Sequence, residues 1–576
     1  MPRLRLALSL LIAIGGAACG SDGVTPPPPP SKVECDGGPT SVLTLAPFDE
    51  ATVRGDALRC VALAGDGASY VIAAQFATST LPYGGYSFRL GAPDASPALT
   101  ASPMASADAD VTLREAQGWD LDAQARADRW LRDTESRTRP DKSRRASLSR
   151  QQLSPALAAA VPDSLRGFSV LSSLSNPPAF GSATAQLRFS GQNVLVYVDT
   201  LAQAGFSDAD IAAFGVLFDE SLYGVIRGTF GNPSDIDGNG RIIIVLSPVV
   251  NALVSSAECA VSGYVRGFFY SHDLASTEPT SNHGEVFYAT VPDPTGRWSC
   301  EHTKEEMLAV TPPTFVHEFQ HMISYAQHVM ERDGASETPW LNEGLSHLAE
   351  ELGSLYFERK YPAPAGRSNP TQIFPDSASA FITPNLRYAH RFLFLSTSYS
   401  IVSCAPGSFC SLPERAAMWL FLRWLGDQKG DDIFRRLDQT RLTGEANIES
   451  AAGEPLNKLL GNFVTALWAD SLVGVPRDAV APEYRFHSRN FRVLYRALYD
   501  ALGPVGGVGR PFPIEPTLLA HDGMVTGTMR PGTFAMYRIT VPRGTPVSLL
   551  RFSQVDGQPF TTETGAQLSI LRVSGQ

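Results

Sequence analysis

Short apolar runs separated by turn-forming residues fill both ends of the chain. Near the N-terminus they include SVLTLAPF and SYVIAAQFAT, and similar runs return near the C-terminus in FAMYRITV and AQLSILRV. Gly, Pro, Asp and Ser bound each run, which is typical of antiparallel strands in a β-sandwich. The pattern therefore predicts one β-sandwich domain at residues 34–112 and a second at residues 505–576.

The middle of the chain combines buried strands with helices. NVLVYVDT and RIIIVLSPVV predict strands, whereas LNEGLSHLAEELGSLYFERK and PERAAMWLFLRWLGDQKG have helical spacing. Strands followed by helices predict an α+β domain of the kind that carries catalysis, at residues 167–504. The expected fold class is multidomain α+β, with this central domain flanked by N- and C-terminal β-sandwich domains.

The first residues of the chain have the pattern of an export signal. Two arginines precede the apolar run LALSLLIAI, which is shorter than the roughly 20 apolar residues that a membrane-spanning helix needs. Residues 1–18 are therefore predicted to be a signal peptide. The small residues that end at Cys19 resemble a bacterial lipoprotein signal, although Gly16 stands where that pattern has Leu. The resemblance implies a lipid on Cys19 and a protein held at the bacterial cell envelope by this lipid anchor only; an ordinary secretory signal and a secreted protein are the alternative.

Two further segments lack the composition of a core. Residues 19–33 include GSDGVTPPPPPSK and are predicted to be an extended tether, because proline favours the polyproline II conformation. Residues 113–166 are charged, and the stretch SRTRPDKSRRASLSR has too few apolar residues to fold. This region is predicted to be a charged linker whose first half could be helical; a processing site in the basic stretch is the alternative.

Composition narrows the class of protein. Hydrophobic residues make up 43% of the 576 residues and charged residues 18%, which is typical of a globular chain. The net charge of −11 argues against a nucleic-acid partner, because phosphate binding needs a basic surface.

The cysteines fit an exported protein. Of the seven, six remain when Cys19 is set aside, and an even number in an exported chain predicts disulfide bonds. The simplest pairing joins neighbours along the sequence: Cys35–Cys60, Cys259–Cys300 and Cys404–Cys410.

The stretch PPTFVHEFQHMISYAQH carries the strongest chemical signal. With the prolines at its start, residues 314–328 are predicted to form a helix. His317 and His321 then lie one turn apart on one face and can reach a single metal ion. Glu318 lies beside them, where a base can take a proton from water at the metal. A helix with two surface histidines is the alternative.

The next predicted helix supplies a candidate for a third ligand. Glu343 follows His321 by 22 positions (343 − 321), in WLNEGLSHLAEEL. HEFQH followed by WLNEG resembles the gluzincin metallopeptidases, the group that includes thermolysin, and the two phrases are most similar to the hyicolysin type of secreted bacterial zinc peptidase. The resemblance implies a zincin-like fold, a zinc ion held by His317, His321 and Glu343, Glu318 as general base, and a protein or peptide substrate. It does not extend to the β regions at the ends.

Metzincin peptidases, which share the HExxH motif, are excluded. Their pattern requires Gly at position 324 and His at position 327, where this chain has Ser324 and Gln327. His328 lies about 16 Å from His317 along a helix axis, too far to share one ion.

Other polar residues near the motif have open roles. His347, one turn after Glu343, is interpreted either as a group that orients a ligand or as an unrelated packed histidine. Glu350 and Glu351 are expected on a solvated face.

Substrate-binding groups are less defined. Tyr388, His390 and Tyr399 are each alternatives for the donor that stabilises an oxyanion. By analogy with related enzymes, the strand GEVFYATVP is expected to bind substrate along the edge of the sheet.

A second metal signal is weaker. In DIDGNGRIIIV, Asp235, Asp237 and Asn239 alternate as in the start of a calcium loop. The full loop would need a glutamate at position 246, where the chain has Leu246. The alternatives are a calcium site that stabilises the fold and an Asp/Gly turn before a strand.

Three functions remain open from the sequence. The first is an exported zinc endopeptidase. The second is a surface-anchored binding lipoprotein with a catalytically idle zincin-like domain. The third is a zinc aminopeptidase, although such enzymes carry an acidic motif upstream of HExxH for which this chain has no convincing equivalent.

Overall fold

The computed structural model describes residues 32–573 apart from the segments 36–37, 66, 80–84, 96–121, 138–161, 203, 276–277, 363–373, 375, 405–409 and 504–509. The predicted signal peptide, Cys19 and most of the predicted tether therefore lie outside the described residues, as does the basic stretch of the predicted linker. Among the described helices, none is both long and apolar enough to cross a membrane.

Seventeen strands are described. They are β1 (Lys32–Cys35), β2 (Gly38–Leu43), β3 (Glu50–Arg54), β4 (Val61–Ala64), β5 (Ser69–Phe76), β6 (Tyr86–Gly91), β7 (Leu165–Ser173), β8 (Ala179–Ser190), β9 (Val194–Asp199), β10 (Ile242–Leu246), β11 (Gly267–Phe269), β12 (Val286–Ala289), β13 (Thr517–Leu518), β14 (Met524–Met529), β15 (Phe534–Thr540), β16 (Val547–Ser553) and β17 (Ala566–Val573).

Thirteen α-helices are described. They are α1 (Ala123–Glu135), α2 (Asp208–Leu217), α3 (Tyr223–Phe230), α4 (Pro248–Asn251), α5 (Ser256–Ser262), α6 (Lys304–Tyr325), α7 (Pro339–Lys360), α8 (Asp376–Phe394), α9 (Leu412–Lys429), α10 (Asp432–Asp438), α11 (Gly444–Ala452), α12 (Leu456–Ala469) and α13 (Phe491–Leu502). A π-helical segment, Ala326–Glu331, continues α6.

The central sheet has the order β11-β12-β10-β9-β8-β7. Strands β9, β10 and β12 are parallel, and β11 pairs antiparallel with β12 at the edge. Every residue of β9, β10 and β12 is buried, because each face of the sheet packs into an apolar cluster that includes helical residues. GEVFYATVP contains β12, so the expectation that it forms the substrate edge is wrong: β11 occupies that edge.

The two chain ends build one sandwich rather than two. One sheet has the order β1-β2-β4-β16-β6-β14 and the other β13-β15-β5-β17-β3, so each sheet contains strands from both ends. Both sheets share one apolar core that includes Phe88, Ile72, Phe552 and Ile570. The prediction of separate domains at 34–112 and 505–576 is therefore wrong. Each end is rich in strands, but the pairing partners of β5, which is buried along its whole length, are β15 and β17.

Part of the predicted linker is a structural element of the central domain. Helix α1 lies within residues 113–166, begins after the N-cap Asp122 and buries Ala123, Ala127 and Leu131 against the central sheet. The charged side chains of α1 misled the prediction, because several of them are buried in ion pairs. Two residues assigned to the tether, Lys32 and Val33, form the start of β1.

Three disulfide bonds join the same neighbours that the sequence predicts: Cys35–Cys60, Cys259–Cys300 and Cys404–Cys410.

Candidate metal centre and active site

Helix α6 is longer than the sequence predicts. It begins at Lys304, where the side chain of Thr303 accepts a hydrogen bond from the backbone N–H of Glu306, and it contains Pro312 and Pro313 in its interior. Each proline removes a backbone donor, a cost of about 3 kcal/mol in an isolated helix. Here almost every residue from Pro313 to the helix end is buried, and this packing keeps the helix continuous.

Helices α6 and α7 bring the three predicted ligands together. Nε2 of His317 lies 3.2 Å from Nε2 of His321, and the two nitrogens lie 3.6 Å and 3.7 Å from the carboxylate oxygens of Glu343. The residues are 7%, 1% and 1% exposed, respectively. The three side chains converge on one point between the helices.

The dimensions of this triangle fit a tetrahedral metal ion. Two ligands bound at 2.0–2.1 Å with tetrahedral angles lie about 3.4 Å apart, close to the three distances here. Oε1 of Glu343 is buried and has no hydrogen-bond partner among the described residues. A buried carboxylate oxygen without a partner is costly, and coordination of a cation would satisfy it. Two imidazoles and a carboxylate are a donor set that suits zinc.

Each histidine of the triangle is oriented from its other ring nitrogen. Nδ1 of His317 lies 2.8 Å from Oε1 of Glu350, and Nδ1 of His321 lies 2.6 Å from Oδ1 of Asn342. Such contacts fix the ring and leave Nε2 directed at the centre. Glu350 also contacts Nδ1 of His347 at 3.2 Å, so His347 reaches the site through Glu350.

The expectation that Glu350 and Glu351 are solvated is wrong. Glu350 binds His317, and Glu351 is buried against the Nε1 of Trp419. The missed signal is the spacing from Glu343: position 350 is seven residues later, two turns along the same helix face.

The charges around the triangle favour a cation. Burial would lower the pKa of His317, but the carboxylates of Glu343 and Glu350 raise it well above its usual value. Burial would raise the pKa of Glu343, but the positive charge of Arg415 holds it well below its usual range. Glu343 is therefore ionised, as a metal ligand must be.

Two residues that support Glu343 have no signal in the sequence. Nη1 of Arg415, on α9, donates to Oε2 of Glu343 at 2.6 Å and to Oδ2 of Asp128, on α1, at 2.7 Å. All three side chains are buried. Arg415 orients Oε2 of Glu343, which faces His317, and leaves Oε1 directed at His321.

Glu318 lies next to His317 on α6. Its Oε2 accepts a 2.7 Å hydrogen bond from the backbone N–H of Phe269 in β11, and burial raises its pKa to about 7. With His317 it lines a cavity of about 160 Å³. A carboxylate whose pKa is near neutral can accept and release a proton.

Of the three proposed oxyanion donors, only Tyr388 lines this cavity. His390 is buried elsewhere, 3.4 Å from the carbonyl oxygen of Arg510, and Tyr399 belongs to the apolar core. Tyr264 and Arg266 also line the cavity, and neither was singled out from the sequence.

Helix α1 lies along the edge strand next to the cavity. The side chain of Gln124 accepts a hydrogen bond from the backbone N–H of Arg266 and donates to the carbonyl of Gly267, at 2.7 and 3.0 Å. Arg132 donates to the carbonyl of Phe269 at 3.2 Å. These contacts occupy backbone groups that an added strand would otherwise pair with.

His328 does not join the site. It is buried in the π-helical segment, 3.8 Å from Glu337 and 3.9 Å from Asp438. Its separation from His317 and His321 agrees with the exclusion of metzincin geometry.

The predicted calcium residues lie in the loop between α3 and β10. Carboxylates of Asp235 and Asp237 lie near that of Glu285, with one oxygen from each within 4.8 Å of the others. Asn239 turns back on the loop: its Nδ2 donates to Asp237, and its Oδ1 accepts from the backbone N–H of Arg241. Leu246 is buried in β10 and contributes no ligand.

Comparison with known proteins agrees with this geometry. The chain is similar to the neutral metalloprotease ShpI of Staphylococcus hyicus, with 25% identity over 286 residues. The similar region covers 49% of this chain and 57% of that protein, so the match spans less than two thirds of the relative. No protein-family model matches the chain.

Proposed function

We propose that this chain is an exported zinc-dependent endopeptidase. The observation that carries the proposal is the buried triangle of His317, His321 and Glu343 with Glu318 beside it on a cavity. The similarity to a neutral metalloprotease supports the same activity. The export signal pattern and the three disulfide bonds support export, with a lipid on Cys19 or free secretion as its two forms.

Zinc bound by His317, His321 and Glu343 would make a water molecule more acidic and polarise the scissile carbonyl. The remaining steps belong to the protein. Glu318 takes the proton of the attacking water and later delivers it to the leaving amine. Its position is fixed by the N–H of Phe269, so the carboxylate does not need to move between these two transfers.

We assign the stabilisation of the oxyanion to Tyr388. Its hydroxyl can donate a hydrogen bond, and its ring lies 6.3 Å from that of His347, on the cavity side of α7. Nη2 of Arg266 approaches this hydroxyl at 3.5 Å, and a nearby guanidinium makes the hydroxyl a better donor to a developing negative charge.

The substrate would lie along β11. An edge strand can pair with an extended peptide through main-chain hydrogen bonds, which suits cleavage within a chain. For β11 this pairing requires that the side chains of Gln124 and Arg132 release the carbonyl groups of Gly267 and Phe269 that they occupy. The sequence lacks a convincing acidic motif for a free amine, and this favours an endopeptidase over an aminopeptidase.

The test joins metal analysis to proteolysis. The purified chain is expected to contain about one zinc per molecule, to cleave casein and a peptide blocked at both ends, and to lose this activity to a chelator and regain it with zinc. Glu318→Gln is expected to retain zinc and to lose activity by several orders of magnitude. Zinc-free protein or an equally active Glu318→Gln variant would overturn the proposal. Cleavage of a free amino-acid amide but not of the blocked peptide would indicate an aminopeptidase.

A further inference from the structure

The loop between α3 and β10 brings three carboxylates to one point, far from the HExxH helix in sequence. Asp235 and Asp237 come from the loop, and Glu285 comes from the residue before β12. One oxygen of each lies within 4.8 Å of the others. Oxygens bound to one calcium ion at about 2.4 Å lie at most about 4.8 Å apart, so this spacing fits a shared ion.

Glu285 is the decisive residue because it is buried and only half satisfied. It is 1% exposed. Its Oε1 accepts hydrogen bonds from the hydroxyl of Ser234 at 2.6 Å and the backbone N–H of Ile236 at 3.0 Å. Its Oε2 is buried and has no hydrogen-bond partner in the described part of the chain. Leaving a carboxylate oxygen in this state is costly unless a cation coordinates it.

The rest of the loop is shaped to hold the two aspartates. Gly238 and Gly240 adopt φ angles of +73° and +66°, which the tight turn requires. Oδ1 of Asp235 accepts from the backbone N–H of Gly240 at 3.0 Å, and Oδ1 of Asp237 accepts from that of Asn239 at 3.1 Å. Each of these two hydrogen bonds uses one oxygen and fixes the direction of the carboxylate.

The neighbouring backbone closely approaches Asp237. A Cβ atom added at Gly284 would lie 3.0 Å from Oδ2 of Asp237, so a larger residue there would push this carboxylate from its position beside Glu285. Within the described residues, none of the salt bridges involves Asp235, Asp237 or Glu285. Three carboxylates at this spacing repel one another unless a positive charge lies between them.

We propose that Asp235, Asp237 and Glu285 bind a calcium ion that ties the loop to the amino ends of β10 and β12. Hard oxygen donors without nitrogen or sulfur favour calcium over zinc. Glu285 supplies the buried carboxylate that a contiguous calcium loop would have at position 246. Asn239 supports Asp237 and is not a ligand in this arrangement.

The test measures calcium binding on the full chain carrying Glu318→Gln, which prevents self-digestion. After divalent ions are removed with a chelating resin and zinc is restored, calorimetric titration with calcium chloride is expected to show one site. Saturating calcium is expected to raise the Tm by about 2–4 °C. Absence of both binding heat and a Tm shift would overturn the proposal.

Variants identify the ligands. Glu285→Gln keeps an acceptor for Ser234 and Ile236 but loses the charge, so calcium affinity is expected to fall at least tenfold while zinc content is unchanged. Asp237→Asn, at the exposed side of the loop, is expected to act in the same direction and replaces the first variant if that one fails to fold. Asp556→Asn is the matched control, because Asp556 also precedes a glycine in a turn and accepts from the backbone N–H of Gln558. Unchanged affinity in Asp237→Asn, or an equal loss in Asp556→Asn, would contradict the assignment.

Discussion

The helix triangle and the loop cluster are both groups of metal-ligand side chains, but the triangle is buried throughout, whereas in the loop cluster only Glu285 is buried, and the two groups are held in different ways. In the triangle, each ligand has an outside partner on a helix: Glu350 for His317, Asn342 for His321 and Arg415 for Glu343. In the loop, the two aspartates are held by the backbone N–H groups of the loop itself.

This difference indicates different roles. The ligands of the triangle lie on packed helices, and a hydrogen-bond partner holds each of them. The open coordination position of a bound metal would therefore stay in one place beside Glu318, as catalysis requires. An ion that binds only when the loop and Glu285 are in their folded arrangement stabilises that arrangement, so such a site stabilises the fold. We therefore expect changes in the triangle to act on activity and changes in the loop to act on thermal stability.

The largest effect is expected for Glu343→Ala, because it removes a ligand and leaves Arg415 without its partner. Bound zinc, measured by atomic emission, should fall to a small fraction of the parent value, and peptidase activity should fall to background. Glu305→Ala, at an exposed position in the first turn of α6, is the control and should retain both. Full zinc content in Glu343→Ala would show that the third ligand is another residue.

Tyr388→Phe separates chemistry from metal binding. Removing one oxyanion donor costs about 10²-fold in kcat. We expect a loss of this size with zinc content and calcium affinity unchanged, measured by steady-state kinetics on a blocked peptide. A variant that changes KM alone would assign Tyr388 to substrate binding.

Glu350→Ala tests whether the residues that hydrogen-bond to the metal ligands contribute to zinc affinity. Loss of an orienting carboxylate typically lowers zinc affinity about 10–100-fold. Competition with a chromophoric chelator measures this affinity, and circular dichroism confirms that α7 persists. If zinc affinity is unchanged, the proposed contrast between the triangle and the loop loses its physical basis.

Gln124→Ala should have the smallest effect and the opposite sign. Removing this side chain frees the N–H of Arg266 and the carbonyl of Gly267 to pair with a peptide, and kcat/KM should rise about two- to fivefold. Arg129→Ala is the control, since Arg129 pairs with Asp133 on the same helix. A loss of activity would show that α1 positions β11 for catalysis rather than competing with substrate.

The triangle was predictable because its parts are local. His317, His321 and Glu318 occupy one helix, where spacing alone relates them. Glu343 follows on the next helix, and its role as a ligand was implied by the resemblance of WLNEG to a known family. Glu350 obeys the same helical spacing, and only the assumption that paired glutamates face solvent hid it. In contrast, Asp128 and Arg415 are brought together from positions 287 residues apart, and their roles follow from tertiary packing that no local pattern encodes.

The pairing of strands in the two sheets at the chain ends was also not predictable from local sequence patterns. Alternating apolar runs identify β5 and β15 as strands, but a strand pattern does not name its partner. The antiparallel ladder that joins Phe534 to Gln75 and Thr540 to Ser69 spans most of the chain. The prediction of the loop cluster was incomplete for a similar reason. Asp235 and Asp237 belong to a recognisable sequence pattern, whereas Glu285 precedes the neighbouring parallel strand β12 and is distant in sequence.

The shared sandwich makes the central domain an insertion between two halves of another domain. During synthesis, β5 and β6 remain without their partner strands until more than four hundred further residues have been made, and every residue of β5 is buried in the folded protein. Trimming the chain from its C-terminal end would therefore not remove an accessory module. It would remove the partners of β3, β5 and β6 and expose the apolar surface that they cover.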